Sequence, residues 1–245
     1  MKILHKLKNT FYILCFLLLL SCKKEVKETI VPKPEAKKTI ETKEVLESKP
    51  ETTETKKTTE TIFNDTSFVN IQTISSDFVL DLKYATTDNF LKQKVYDCPE
   101  CFLRINTAKA LTKANQDFIK LGYRIKLFDC YRPLDVQKKM WQILPGTHYV
   151  ANPKKGSKHN RGAAVDLTLV DSLGNELNMG TKFDFFGKEA HHTYLKHSKE
   201  VLANRKLLKE TLAKHNFKSI YNEWWHYEFR PERHSTVSNF KWKCE

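Results

Sequence analysis

Two polar stretches constrain the fold of this chain more than any other feature. The first runs from Ser157 to Asp166 and contains His159, and the second is Glu223-Trp224-Trp225-His226. Two imidazoles and a carboxylate are typical zinc ligands, and three protein ligands with an open position describe a catalytic site rather than a structural one. The sequence therefore predicts a zinc hydrolase, and it requires the two stretches to converge on one ion.

The predicted strand from Ala163 to Val170 carries one of these ligands. Val165, Leu167 and Leu169 alternate along it, and alternating residues lie on the same face of a strand. We interpret that apolar face as the core face. Asp166 therefore points to the opposite side, toward a cleft.

The last predicted strand runs from Trp224 to Phe229. One face carries Trp225, Tyr227 and Phe229, and the other carries Trp224, His226 and Glu228. His226 can enter the cleft while the opposite face is buried. Glu223 has the wrong parity for a straight strand, so the hypothesis requires a bend before Trp224 that turns its carboxylate inward.

The first 22 residues are predicted to be a targeting segment. A lysine-rich start precedes an apolar run, Phe11 to Leu20, that is too short to span a bilayer and is typical of a signal peptide. The run ends in Leu-Ser-Cys, a lipobox-like sequence that predicts cleavage and lipidation at Cys22. An ordinary secretory signal or an uncleaved anchor is the alternative. Export and a lipid anchor would place the protein in the cell envelope, facing the periplasm or the exterior.

Residues 23–61 consist mostly of Lys, Glu and Thr in nearly balanced charge, with three prolines and no aromatic residue. Such a segment cannot bury enough apolar surface to offset its ordering entropy, so we interpret it as a disordered tether. The folded domain is predicted at residues 62–245. The chain has a formal net charge of +13. Export argues against nucleic acid as the partner, and an anionic envelope or a carboxylate substrate fits this charge better.

Strands and helices mix in the domain without βαβ regularity. This pattern predicts an α+β fold with a mainly antiparallel central sheet flanked by helices. The further predicted strands are Phe68–Ile74, Phe78–Tyr84, Tyr123–Phe128 and Phe217–Ile220. The predicted helices are Asn106–Leu121, Leu134–Leu144 and Glu200–Asn216.

Four cysteines of the domain lie in a compartment that permits disulfides: Cys98, Cys101, Cys130 and Cys244. The Cys-Pro-Glu-Cys stretch at residues 98–101 fits a local disulfide, a redox pair or half of a zinc knuckle. No second CxxC completes a knuckle, so a structural disulfide is the preferred interpretation. Four cysteines allow three pairings, and the sequence does not choose among them.

Five separated motifs, in order, resemble the VanX-type D-alanyl-D-alanine dipeptidases, zinc D,D-peptidases with a hedgehog-like fold. The matching stretches are 81–90, 128–133, 156–169, 179–184 and 223–229. The resemblance covers nearly the whole domain from Phe68 to Phe229. Cys130 departs from it, because the family often has glycine before Tyr-Arg-Pro.

The resemblance implies a role for each matching residue. One Zn²⁺ per chain would be bound by His159, Asp166 and His226, with Glu223 as general base and Arg132 as transition-state stabiliser. Ser157, Asp184 and Tyr84 would contact the substrate. The residue types suit peptide hydrolysis independently, since zinc makes a nucleophilic water available near neutral pH and a forked guanidinium stabilises an oxyanion.

The function implied is hydrolysis of D-alanyl-D-alanine to two D-alanines in cell-wall turnover. A D,D-carboxypeptidase trimming peptidoglycan stem peptides is the alternative within the enzyme class. An inactive, zinc-bearing envelope-binding module is the alternative outside it, although such a module needs neither Glu223 nor Arg132. The absent HExxH motif argues against the common metalloprotease classes.

Overall fold

The computed structural model describes residues 68–244 of the 245-residue chain. The predicted signal peptide, lipidation at Cys22, the tether over residues 23–61 and the start of the domain at residue 62 lie outside the described residues. Within residues 68–244, no helix is long and apolar enough to cross a membrane.

Seven short strands and three α-helices make up the described part of the domain. The strands are β1 (Phe68–Asn70), β2 (Val79–Leu80), β3 (Phe102–Arg104), β4 (Arg124–Asp129), β5 (Ala164–Val170), β6 (Phe217–Ser219) and β7 (His226–Phe229). The helices are α1 (Ile105–Ile119), α2 (Leu134–Ile143) and α3 (Lys199–Lys214). Strands and helices are not arranged as repeated βαβ units, so the α+β prediction is confirmed.

The central sheet has five strands in the order β2-β4-β5-β7-β6. Only the β2–β4 pair is parallel, and the three other pairs are antiparallel, as predicted. Strand β5 lies in the middle, and all seven of its residues are buried. A strand covered on both faces can hold polar side chains such as Asp166 only where they find partners.

The two predicted N-terminal strands are shorter than expected. After β1, Ile71–Thr73 form a 3₁₀ turn in which the Asn70 side chain accepts a hydrogen bond from the Gln72 amide. After β2, a second 3₁₀ turn spans Lys83–Ala85. The apolar side chains that produced the alternating pattern are still buried, apart from the partly buried Leu80, but local backbone hydrogen bonds replace the expected sheet pairing.

Helices α1 and α3 cover one side of the sheet with their apolar faces. Leu111 and Phe118 of α1, and Leu208 and Leu212 of α3, are fully buried in the same core cluster as the inner face of β5. Each such side chain contributes about 1.5–3 kcal/mol by leaving water. This core fixes β5 and its neighbour β7, the two strands that carry predicted ligands.

Two disulfides connect the four cysteines of the domain, Cys98 with Cys244 and Cys101 with Cys130. The preferred interpretation of the Cys-Pro-Glu-Cys stretch, a structural disulfide, is therefore confirmed, but a local bond within the stretch is wrong because each of its two cysteines pairs with a distant one. Cys98–Cys244 fastens the C-terminal segment (residues 230–244) to the domain. Cys101–Cys130 joins the residue before β3 to the residue after β4.

Candidate metal centre

Strands β5 and β7 place two predicted ligands side by side. Asp166 is the direct antiparallel partner of His226, so both side chains leave the same face of the sheet. His159 comes from a 3₁₀ turn, His159–Arg161, that precedes β5. Gly162 ends this turn in the left-handed region (φ +68°), and its N–H donates to the His159 carbonyl. The three side chains are almost completely buried, with exposures of 4%, 4% and 7%.

Three donor atoms of these residues form a small triangle. His226 Nδ1 lies 2.9 Å from Asp166 Oδ1 and 3.1 Å from His159 Nε2, and His159 Nε2 lies 3.4 Å from Asp166 Oδ1. Zinc bonds of about 2.0–2.2 Å in a tetrahedron would separate the donors by roughly 3.3 Å. The donor types and their spacing therefore fit zinc, and three ligands leave the fourth position open.

The second nitrogen of each imidazole has a partner outside the triangle. His159 Nδ1 donates to the Cys130 carbonyl oxygen at 2.8 Å and lies 3.5 Å from the Asp129 carboxylate. Because both neighbours only accept protons, Nδ1 carries the hydrogen and Nε2 keeps its lone pair. His226 has the opposite arrangement, with Nδ1 in the triangle and Nε2 3.8 Å from Glu228.

Without metal, the triangle holds a proton. Burial opposes charge on the His226 imidazole, but hydrogen bonding and the negative charge of Asp166 outweigh it and raise the pKa of His226 to about 10. The neighbouring imidazoles in turn keep the pKa of Asp166 below its ordinary value despite burial. The site is therefore pre-arranged around one positive charge, which a cation can replace.

The bend required for Glu223 is present. Strand β7 begins only at His226, and bends at Trp224 and Trp225 precede it. The alternation of faces along the strand therefore does not apply to Glu223, whose side chain lines the same cavity as the triangle. Burial raises the pKa of the Glu223 carboxyl group, as does the negative charge of Asp166. A raised pKa suits a group that must accept and then release a proton.

The same bends overturn the predicted face of Trp224, whereas the core position predicted for Trp225 is confirmed. Trp224 was expected in the cleft, but it is buried in the core and its indole N–H donates to Thr181 Oγ1 at 2.8 Å. Trp225 was expected on the core side, and it packs in the core while also lining the cavity. The period-two pattern does not apply to residues that precede the strand.

Arg132 follows β4 and lines the cavity. Its guanidinium forms a buried ion pair with Asp129, donates to Gln137 Oε1 at 2.9 Å and lies over the Tyr84 ring. Within residues 68–244, its buried Nε has no hydrogen-bond partner. A buried donor without a partner costs free energy, so this atom fits an oxygen of a bound ligand.

The three predicted substrate contacts also line the cavity. Tyr84 donates its hydroxyl proton to Asp184 Oδ2 at 3.0 Å. Burial, and next the negative charge of Asp166, hold the pKa of Asp184 well above its usual range, so this carboxyl group would gain from a cationic partner. Ser157 Oγ lies 3.1 Å from Asn160 Oδ1, to which it donates.

The cavity has a volume of about 470 Å³, and all eight predicted site residues of the domain line it. Its mouth includes residues that we did not predict. Tyr149 stacks on Phe186 with 3.9 Å between ring centroids, which joins two loops, and His148 also lines the cavity. No periodicity marks these loops. Asp129, the ion-pair partner of Arg132, was also not predicted, and its one usable sequence signal was its position at the end of a strand, two residues before Tyr131.

The sequence comparisons with known proteins agree with the geometry. The D-alanyl-D-alanine dipeptidase of Escherichia coli is 35% identical over 163 residues, which are 66% of this chain and 84% of that protein. The D-alanyl-D-alanine dipeptidase of Enterococcus faecalis is 31% identical over 182 residues, 65% of this chain and 90% of that protein. Among solved structures, a VanY D,D-pentapeptidase with Zn(II) aligns at a TM-score of 0.33 with 17% identity, over 53% of this chain and 73% of that one. The model of the family described as D-Ala-D-Ala dipeptidase matches residues 64–241, and the chain belongs to that family.

Proposed function

We propose that the protein hydrolyses D-alanyl-D-alanine to two D-alanines. The observation that carries this proposal is that a zinc-type donor triangle, a carboxyl group with a raised pKa and a buried arginine line one cavity. Members of the family are zinc-dependent. The proteins of E. coli and E. faecalis to which this chain is similar are named for this dipeptide.

Glu223 is the proton carrier in the proposed reaction. Zinc, when bound, supplies Lewis acidity that lowers the pKa of water toward neutrality. A carboxylate oxygen of Glu223 takes the proton of the attacking water and then gives it to the nitrogen of the leaving amine. The raised pKa of Glu223 makes the second transfer easier than it would be for an ordinary glutamate.

Arg132 and Asp184 contact two different groups of the substrate, the scissile carbonyl oxygen and the free ammonium. The Arg132 guanidinium is held by Asp129 and Gln137, so it can donate to the carbonyl oxygen as negative charge develops there without first reorganising. The Asp184 carboxyl group, in its ionised form, binds the free ammonium of a dipeptide. Tyr84 holds this carboxyl group by a hydrogen bond.

The test is turnover of D-Ala-D-Ala by the purified protein, followed as released D-alanine. We expect hydrolysis that a chelator abolishes and added zinc restores. No D-alanine from the zinc-loaded protein would overturn the proposal. An N-acylated D-Ala-D-Ala, which has no ammonium for Asp184, should be a poor substrate. Equal turnover of the acylated substrate would instead favour the D,D-carboxypeptidase.

We further propose a lipid anchor at Cys22 and a location in the cell envelope, on the basis of the N-terminal sequence. There the enzyme would meet wall-derived dipeptides, so a scavenging or recycling role follows. Incorporation of a labelled fatty acid, absent from the Cys22→Ala variant, checks the anchor. A wild-type chain that takes up no label and fractionates without the membrane would contradict it.

A further inference from the structure

The Cys101–Cys130 disulfide is completely buried beside the metal centre. Cys101 has 0% exposure and Cys130 has 1%, and both belong to the main core cluster. Cys130 stands between Asp129 and Tyr131, two residues before Arg132. The disulfide therefore constrains the segment that connects β4 to Arg132 in the metal centre.

The backbone carbonyl of Cys130 is the hydrogen-bond partner of His159, one of the predicted metal ligands. His159 Nδ1 donates to it at 2.8 Å, which sets the ring orientation and leaves Nε2 for the metal. Both atoms are buried, so the hydrogen bond is not exchanged with water. The position of the Cys130 carbonyl therefore determines where the His159 lone pair points.

The sheet does not fix this carbonyl by regular pairing. The register between β4 and β5 shifts between Leu127 and Asp129, and β4 ends at Asp129. Beyond that point, three hydrogen bonds of backbone amides hold the segment: the Cys130 amide donates to Asp129 Oδ1, the Tyr131 amide to the Phe102 carbonyl and the Arg132 amide to the His159 carbonyl. The disulfide is the covalent link between this irregular segment and the residue that precedes β3.

We propose that the Cys101–Cys130 disulfide is a positioning element of the metal centre, which fixes the Cys130 carbonyl and, through it, the zinc-binding nitrogen of His159. This proposal rests on the zinc site of the proposed function. It goes beyond that function because the affinity for zinc then depends on a bond that supplies no ligand to the ion. The Cys98–Cys244 bond, which makes no contact with a ligand, should lack this effect.

The test compares two double variants of the full chain, C101A/C130A and, as matched control, C98A/C244A. The zinc dissociation constant is measured by competition with a chromophoric chelator. We expect zinc to bind roughly 10–100-fold more weakly to C101A/C130A, the usual effect of losing a partner that orients a ligand. The affinity of C98A/C244A should remain within about twofold of the parent, since its bond orients no ligand.

Urea unfolding of the same proteins separates positioning from general destabilisation. The bonds span 146 residues for Cys98–Cys244 and 29 for Cys101–Cys130. In the chain-entropy model, loss of the longer cross-link destabilises more. We therefore expect the control to have the lower urea midpoint and C101A/C130A the weaker zinc affinity. Zinc affinities that follow the urea midpoints, or an unchanged affinity in C101A/C130A, would overturn the proposal.

A third variant covers the case in which C101A/C130A does not fold. C101V/C130A restores part of the lost apolar volume while leaving the cross-link absent, and it should again bind zinc more weakly than the parent. Parent-like affinity in that folded variant would also overturn the proposal. A parent that binds zinc but does not hydrolyse D-Ala-D-Ala would overturn the proposed function alone, because the readout here is affinity.

Discussion

At the scale of single residues, the partly buried carboxyl group of Glu223 lies in the same cavity as the three donor atoms, but it does not contribute one of them. Glu223→Gln keeps the size of the side chain and removes its ability to accept a proton. We expect the kcat for D-Ala-D-Ala to fall about 10²–10⁴-fold. Zinc content, measured by metal analysis on the same sample, should remain at one per chain.

Glu210→Gln is the matched control for this substitution. Glu210 is exposed on α3, where its carboxylate lies 3.9 Å from Lys206. An exposed pair of this kind contributes little to stability, so activity should be unchanged. A Glu223→Gln enzyme with a near-normal kcat would show that another group carries the proton.

The proton in the metal-free triangle predicts how zinc binding depends on pH. Because the pKa of His226 is raised to about 10, Nδ1 is protonated at neutral pH and must lose that proton before it can bind a metal. Zinc affinity should therefore rise about tenfold per pH unit as the pH increases through the neutral range. Calorimetry in buffers of different ionisation enthalpy should record about one proton released per zinc. An affinity that stays constant across neutral pH would contradict this prediction.

At the scale of elements, the turn that carries His159 depends on Gly162. An added Cβ would lie 2.4 Å from Phe68 Cε1 and 3.1 Å from Arg104 Cγ, and Phe68 is packed between Tyr131 and Phe240. Gly162→Ala therefore adds overpacking, which typically costs about 1–3 kcal/mol, to the strain of a positive φ. We expect a lower free energy of unfolding, measured in urea, and weaker zinc binding.

Gly174→Ala separates the two contributions. Gly174 also has a positive φ (+89°), but nothing lies within 4 Å of its added Cβ. In this variant, backbone strain alone should lower the free energy of unfolding by about 1–2 kcal/mol, and zinc affinity should be unchanged. Equal destabilisation of the two variants would mean that the space around Gly162 is not restrictive.

The elements also show which parts of the site the sequence could predict. Strand β5 has a regular period of two, and this was enough to place Asp166 on the face opposite Val165 and Leu167. The bend before β7 was predicted because the parity of Glu223 required it. The predicted face of Trp224 was wrong, because β7 begins only at His226. The local sequence pattern does not show where a strand begins, since hydrogen bonds to distant residues decide its first residue.

At the scale of the whole molecule, we expect the two loops joined by the Tyr149–Phe186 stack at the cavity mouth to limit the size of the substrate. The Tyr149–Phe186 stack contributes about 0.5–1.5 kcal/mol, so its loss should loosen both loops. We expect Tyr149→Ala to raise kcat/KM for N-acylated D-Ala-D-Ala relative to the free dipeptide by roughly 2–10-fold. The exposed Leu195→Ala should leave this ratio unchanged. A ratio that Tyr149→Ala also leaves unchanged would show that the stack does not restrict entry.

Contacts between distant segments were the part that the sequence could not provide. Each disulfide joins residues that are separated along the chain. The two other pairings of the same four cysteines would have fitted the sequence equally well. The Tyr149–Phe186 stack likewise joins two loops without any repeating pattern. Such pairs depend on how the complete chain folds back on itself, and single-sequence patterns report only the neighbourhood of each residue.

The Cys98–Cys244 bond has a consequence for the lifetime of the protein. It closes the chain from residue 98 to residue 244 into a covalent ring that contains both ligand-bearing strands. A single proteolytic cut in an exposed loop of this ring, such as the one around Leu173, opens the ring but releases no fragment. The nicked molecule would keep its parts together until its disulfides were reduced, which would suit the cell-envelope location that we propose from the N-terminal sequence.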